Sequence, residues 1–126
     1  MYLLDSNVII DYLNASLSES AMRFMDKVVD TQSNISVITK METLGYNFKS
    51  EFEKNIMELF ISESTVYTIN DDIVTQTINI RKRNKIKLPD SIIAATALVY
   101  GLILVTRNVT DFVNIDSLKI INPQEL

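Results

Sequence analysis

Four acids stand where this chain could gather charge. Asp5 follows the short apolar segment Met1–Leu4. Glu42 lies one turn beyond Ile38 on a predicted helix and so borders its apolar side. Asp90 stands directly after Pro89 at a predicted helix start, and Asp111 follows the apolar Leu102–Val105 after the short loop Thr106–Thr110. A carboxylate beside a buried stripe costs free energy unless it is paired or binds a metal. Several converging carboxylates repel one another, so either their pKa values rise or a cation neutralises them. The chain has no His and no Cys. A cation here would therefore sit on oxygen ligands, which favours Mg²⁺, Mn²⁺ or Ca²⁺. Such a site can acidify a bound water and hold a phosphate oxygen, and acid-only clusters suit phosphodiester cleavage.

The same absences exclude other chemistries. Without Cys there is no disulfide frame, thiol nucleophile, zinc ribbon or iron–sulfur cluster. Without His there is no Ser-His-Asp or Cys-His site. The lack of disulfides suits a reducing cytoplasm, the expected location. A net charge of −4 and a pI near 4.7 argue against a strongly basic nucleic-acid-binding domain. Charge is uneven, however: five of the twelve Lys and Arg residues fall within Arg81–Lys87. No targeting signal is expected, because MYLLDSNVIIDYL has no positive start and meets Asp5 at once. Ser91–Thr106 carries no charge, but a membrane span needs about 20 apolar residues, and Gly101 divides this run into a helix-like and a strand-like half. No membrane association is expected.

The elements that must position the acids follow from periodicity. Strands are predicted at Met1–Leu4, Asn34–Val37, Thr65–Ile69 and Leu102–Val105, with a weak fifth at Lys119–Ile121. Helices are predicted between them. Val8, Ile9, Tyr12 and Leu13 mark the first, with Ser6 or Asn7 as its cap. Met22, Met25, Val28 and Val29 mark the second. Ile38, Met41, Leu44 and Phe48 form the stripe of the third, and Phe52, Ile56, Leu59 and Phe60 that of the fourth. Asp71–Arg83 is the fifth, with Ile73, Val74, Thr77, Ile78 and Ile80 inward and Asp71 or Asp72 capping. A sixth runs from Lys87-Leu88-Pro89-Asp90 to Tyr100, with Gly101 closing it. Strands alternating with helices predict a three-layer α/β/α domain over residues 1–126, with a mainly parallel sheet of four or five strands. In such sheets a ligand site lies at the carboxyl ends of the strands.

Four segments in order give the chain a family likeness: LLDSNVIIDYL at 3–13, ISVITKMETLGY at 35–46, KLPDSIIAATALVYGLILVTRNVTDF at 87–112 and INP at 121–123. The pattern resembles the PIN-domain ribonucleases, specifically the small toxins of the VapC type. That resemblance implies that Asp5, Glu42, Asp90 and Asp111 form an acidic catalytic site holding one or two Mg²⁺ or Mn²⁺ ions. Ser6 stands where the family has Thr or Ser, and Thr106 and Asn108 fall near the site as supporting residues. The resemblance also implies an RNA substrate, a cognate antitoxin protein and a homodimer. On this reading Arg81, Lys82, Arg83, Lys85, Lys87 and Arg107 are candidate RNA contacts, the 81–87 run otherwise being a solvated helix end that suits the helix dipole.

Plainer readings exist for each residue. Asp5 and Asp90 both fit helix caps, Glu42 fits a solvated acid and Asp111 a turn residue. The joint pattern outweighs them. Two other functions remain to be weighed: a non-catalytic PIN-fold binding module, in which the acids hold a structural cation or a partner's Arg, and a flap-type nuclease that cuts DNA. Metal-dependent cleavage separates the first from the nuclease reading, and comparing RNA with single-stranded and branched DNA separates the second. The tyrosines are expected in the core rather than as stacking platforms, and Asp11 as a surface or hydrogen-bonding acid.

Overall fold

Leu3 and Leu4 are adjacent, so on a strand they point to opposite faces. That single fact organises the molecule. The computed structural model describes residues 1–126. It places Tyr2–Leu4 (β1) parallel to Ile103–Val105 (β4), in the register Leu3 opposite Leu104 and Leu4 opposite Val105. β4 in turn pairs with Ile120–Ile121 (β5), also parallel. Leu3 and Leu104 enter one core with Asp71–Arg83 (α5), Leu88–Tyr100 (α6) and Val109–Phe112 (α7). Leu4 and Val105 enter the other with Ser6–Leu13 (α1), Glu19–Thr31 (α2) and Glu51–Ser62 (α4). The sheet is thus covered on both faces, in three layers. Each large aliphatic side chain fully buried in these cores contributes about 1.5–3 kcal/mol.

Asn34–Ser36 (β2) and Thr65–Tyr67 (β3) pair in parallel as a second, two-stranded sheet. It lies beside β1, but the link is a side chain rather than a ladder. The buried Asn34 donates its amide to the Tyr2 carbonyl at 2.9 Å and accepts from Gln32 at 2.7 Å. All strands are parallel, as expected; the break between β1 and β2 was not.

α6 is the most deeply set helix. Ser91, Ile93, Ala94, Ala95, Thr96 and Ala97 are buried, and the small residues let α5 and the sheet approach closely. Gly101 ends it at φ 65°, a left-handed conformation that glycine adopts without strain.

Several helix assignments need correction. Of the caps the sequence offered for α1, the structure uses Asp5, whose carboxylate accepts the Ser6 N–H, and not Ser6 or Asn7. Asn70, not Asp71 or Asp72, caps α5; the two acids occupy its first turn, where they suit the dipole. In Val37–Leu44 (α3) the buried pair is Thr39 and Thr43, while Met41 and Leu44 are exposed. These threonines lie one turn apart on one face, and their small size lets α3 pack closely against α1 and α6. The Thr43 hydroxyl folds back onto the Thr39 carbonyl at 2.8 Å. On α4, Phe52 and Leu59 face solvent and Met57 and Ile61 are buried. On α5, Val74 and Ile78 are likewise exposed. These helices carry more apolar residues than one packed face can use. Tyr46 and Tyr100 also lie largely at the surface rather than in the core.

Candidate active site

β1 and β4 end side by side, and the chain leaves both at the same edge. The Asp5 N–H continues the ladder to the Val105 carbonyl at 3.0 Å, and the Thr106 N–H continues it to Ile121 at 3.0 Å. Asp5 and Thr106 are therefore fixed by strand geometry before their side chains interact. Both are buried.

The Asp5 carboxylate is held from three directions. One oxygen accepts the Ser6 N–H at 2.9 Å. The other accepts the Thr106 hydroxyl at 2.8 Å and the Asn7 amide at 3.2 Å. The sequence marks Asn7 only as a candidate helix cap and not as a site residue. Its amide nitrogen also reaches the Thr106 hydroxyl at 3.3 Å, and its carbonyl accepts the Arg107 N–H at 3.0 Å. Asn7 therefore ties the start of α1 to the turn after β4. The Thr106 hydroxyl further accepts the Asn108 N–H at 3.1 Å, shaping the turn that leads into α7.

Glu42, Asp90 and Asp111 come to the same edge from α3, α6 and α7. Their mutual influence is plain in their electrostatics. Burial raises the Asp5 carboxyl above its usual range, against the opposing effect of its hydrogen bonds, and Asp111 pushes it further. Partial desolvation raises Glu42, with Asp5 and Asp90 adding to the effect, while the Ser6 hydroxyl beside it favours the charged form. Partial desolvation also raises Asp90, reinforced by Asp5 and Asp111 and opposed by Lys87. Each shift disfavours the charged state. The four acids share one field.

They are not drawn into a finished cage: no three acids are close enough together to hold an ion as they stand. The donor set is all oxygen and anionic, with one member buried and oriented by hydrogen bonds. Asp5, Glu42, Asp90 and Asp111 are the residues that would hold a hard divalent cation, the kind such a donor set suits.

A cleft of about 370 Å³ adjoins the site, lined by Asp90 and Asp111 together with Lys85 and Lys87. The basic run thus divides. Lys85 and Lys87 line the cleft with the acids, whereas Arg81, Lys82 and Arg83 form the exposed last turn of α5 and do not line it. Arg83 instead approaches Asp116 at 3.9 Å. Arg107 is turned away into an ion pair with Asp11 at 2.8 Å, so Asp11 has a structural role. Asn108 is exposed at the start of α7, its side chain making no cap.

Comparison with known proteins agrees with this geometry. Residues 2–118 match the family model of the PIN domain. Among solved structures, the chain is similar to a toxin–antitoxin complex from Klebsiella pneumoniae, at 31% identity and a TM-score of 0.75, covering 98% of each chain. It is also similar to DNA-bound VapBC from Salmonella typhimurium, at 26% identity and a TM-score of 0.81 over 97% of each chain. VapBC-1 from nontypeable Haemophilus influenzae shares the fold, at 23% identity and a TM-score of 0.76 over 97% of each chain. No curated protein matches the chain.

Proposed function

The chain belongs to the PIN-domain family, and from that premise we propose that it is a metal-dependent endoribonuclease, the toxin of a toxin–antitoxin pair acting in the cytoplasm. One observation carries the reading: four carboxylates from four separate elements meet at the carboxyl edge of a parallel sheet, and three of them are pushed toward neutrality. A fold gains no stability from such an arrangement. A site for a cation and a phosphate does.

On this reading Asp5, Glu42, Asp90 and Asp111 hold one or two Mg²⁺ or Mn²⁺ ions. When bound, the metal neutralises the carboxylates, acidifies a water and offsets charge on the phosphate. The chain's own residues do the positioning. Thr106, Asn7 and the Ser6 N–H fix the Asp5 carboxylate, so the order is in place before binding. Ser6, beside Glu42, tunes that acid. Lys87, near Asp90, offsets negative charge where a phosphate would enter.

Exposed apolar side chains support protein partners. Met41 and Leu44 on α3 and Phe52 and Leu59 on α4 lie open, as do Val74 and Ile78 on α5. An antitoxin and a second copy of the chain are the partners proposed for such surfaces.

The test is cleavage of a mixed RNA pool, and of single-stranded and branched DNA, by the purified protein with Mg²⁺, with Mn²⁺ and with EDTA. RNA cleavage that needs metal, and that falls at least about a hundredfold in Asp5→Asn or Asp90→Asn, is expected; losing several kcal/mol of transition-state stabilisation has that size. Wild-type rates in folded Asp90→Asn would overturn the site. Preference for branched DNA would replace the substrate.

A further inference from the structure

Lys85 and Lys87 are the two cations that line the cleft beside the acids. The ion pairs present are Arg23–Glu19, Arg83–Asp116 and Arg107–Asp11, and neither lysine takes part in one. They lie in the short connection between α5 and α6, on either side of Ile86, which packs against the core beneath α5 and α6. Residues two apart on an extended segment project to the same side. Ile86 therefore anchors the segment, and the two lysines are presented together at the cleft wall. Asp90 and Asp111 line the same cleft, Asp90 one turn along α6 from Lys87. The exposed Asn114 amide and Asn84, whose amide nitrogen is engaged by the Ile80 carbonyl at 3.0 Å, complete a mainly polar lining.

The cleft therefore carries charges of both signs. The acids would repel a phosphate unless a cation intervened. Lys85 and Lys87, neither drawn into an ion pair, attract one, in a chain whose net charge is −4. Its volume of about 370 Å³ falls at the lower end of the range for small-ligand pockets, roughly 300–1,000 Å³. That suits one nucleotide rather than a duplex.

We propose that this cleft is the subsite for the nucleotide flanking the cleaved bond of a single-stranded RNA, with Lys85 and Lys87 on its phosphate and Asn114 beside its base. The proposal rests on the nuclease reading for the identity of the strand, but not for the existence of the site. The connection between α5 and α6 is then a substrate-binding segment, and the terminal turn of α5 (Arg81, Lys82 and Arg83) is not.

The experiment measures binding of a fluorescein-labelled six-nucleotide RNA in EDTA by anisotropy across a salt series, with metal-dependent cleavage of the same RNA measured separately. Lys85→Gln/Lys87→Gln is compared with Lys27→Gln/Lys54→Gln, which removes the same charge elsewhere. The cleft double variant should bind at least about tenfold more weakly. Its slope of log affinity against log salt should be shallower by about 0.7 for each lost phosphate contact. The control should stay within about twofold. Asn114→Phe fills the cleft without changing charge; it should weaken binding and leave the salt slope unchanged. Equal losses in both double variants, or none in the cleft variants, would overturn the proposal, as would failure of the wild type to bind. Binding that follows this pattern without cleavage under any metal would leave the subsite standing and remove the nuclease reading. Cleavage unaffected by the cleft variants would do the reverse. The same oligonucleotide as DNA, if bound more tightly, would overturn the assignment to RNA.

Discussion

At the amino ends of β1, β4 and β5 the sheet closes on apolar side chains; at their carboxyl ends it closes on charge. The amino end is ordinary packing. Met1 and Lys119 lend carbonyls to the first N–H groups of β4 at 2.8 and 2.9 Å, and the buried Leu102 joins Ala97 of α6 in the core. The three acids with raised pKa values all lie at the other end. There the same strands deliver a buried carboxylate and a buried hydroxyl, and α3, α6 and α7 bring further acids beside them. The two ends share backbone, register and twist, so the difference lies in side chains alone. One end is arranged for stability, and the other gives some stability up to keep acids together.

The largest effect should separate the two ends cleanly. Leu102→Ala removes an apolar side chain from the core at the amino end. It should cost about 2–5 kcal/mol by chemical denaturation, and cleavage per folded molecule should be unchanged. A drop in that specific activity would mean the two ends are coupled and the contrast is wrong.

Thr106→Val comes next. It keeps shape and removes the hydroxyl that donates to Asp5 and accepts from Asn108 and Asn7. Leaving such groups short should cost about 1–3 kcal/mol. Cleavage should fall as well, because the Asp5 carboxylate and the turn into α7 lose their common anchor. Thr96→Val is the matching change on α6, where the hydroxyl bonds only its own helix at 2.8 Å; it should cost less and leave cleavage alone. Equal activity losses from both would remove the special status of the carboxyl end.

How much of this was legible in the sequence depends on how local the signal is. Alternation of strands and helices, and the register of acids after strands, follow from short-range pattern. The end of α6 was legible because Pro89 and Gly101 each act through their own backbone. The faces of α3, α4 and α5 were not. Each helix offers two apolar stripes, and only the neighbouring elements decide which one is buried. Met41 looked like core and is exposed, while Thr39 and Thr43 looked polar and are buried. In the site, the positions of the acids could be anticipated, but the hydrogen bonds that orient Asp5 could not. Asn7 and Thr106 are far apart in the chain, and their meeting is a consequence of β1 pairing with β4. The ion pair of Arg107 with Asp11 was hidden for the same reason: the partner is identified only by the fold.

The smallest effect tests the electrostatic half of the contrast. Glu42 has its carboxyl raised above the ordinary 4.5 by partial desolvation and by the charges of Asp5 and Asp90. The sign then follows. A carboxyl that is harder to ionise in the folded chain than in the unfolded one costs nothing below the unfolded value. Its cost grows as pH rises through the folded value and is complete at neutral pH. Glu42→Gln should therefore raise the melting temperature at pH 7, and the gain should fade as pH falls toward 4.5. Glu42 lies at the surface, where substitutions stay within about 0.5 kcal/mol, so the gain should be roughly 1–3 °C. Millimolar Mg²⁺ should reverse the order, because a cation that binds only the folded chain stabilises the wild type more than a variant lacking one of its proposed ligands. A gain that persists unchanged at low pH would show that the benefit comes from packing rather than from relief of repulsion. The acids would then not be sharing a field, and the carboxyl end would be no less comfortable than the amino end.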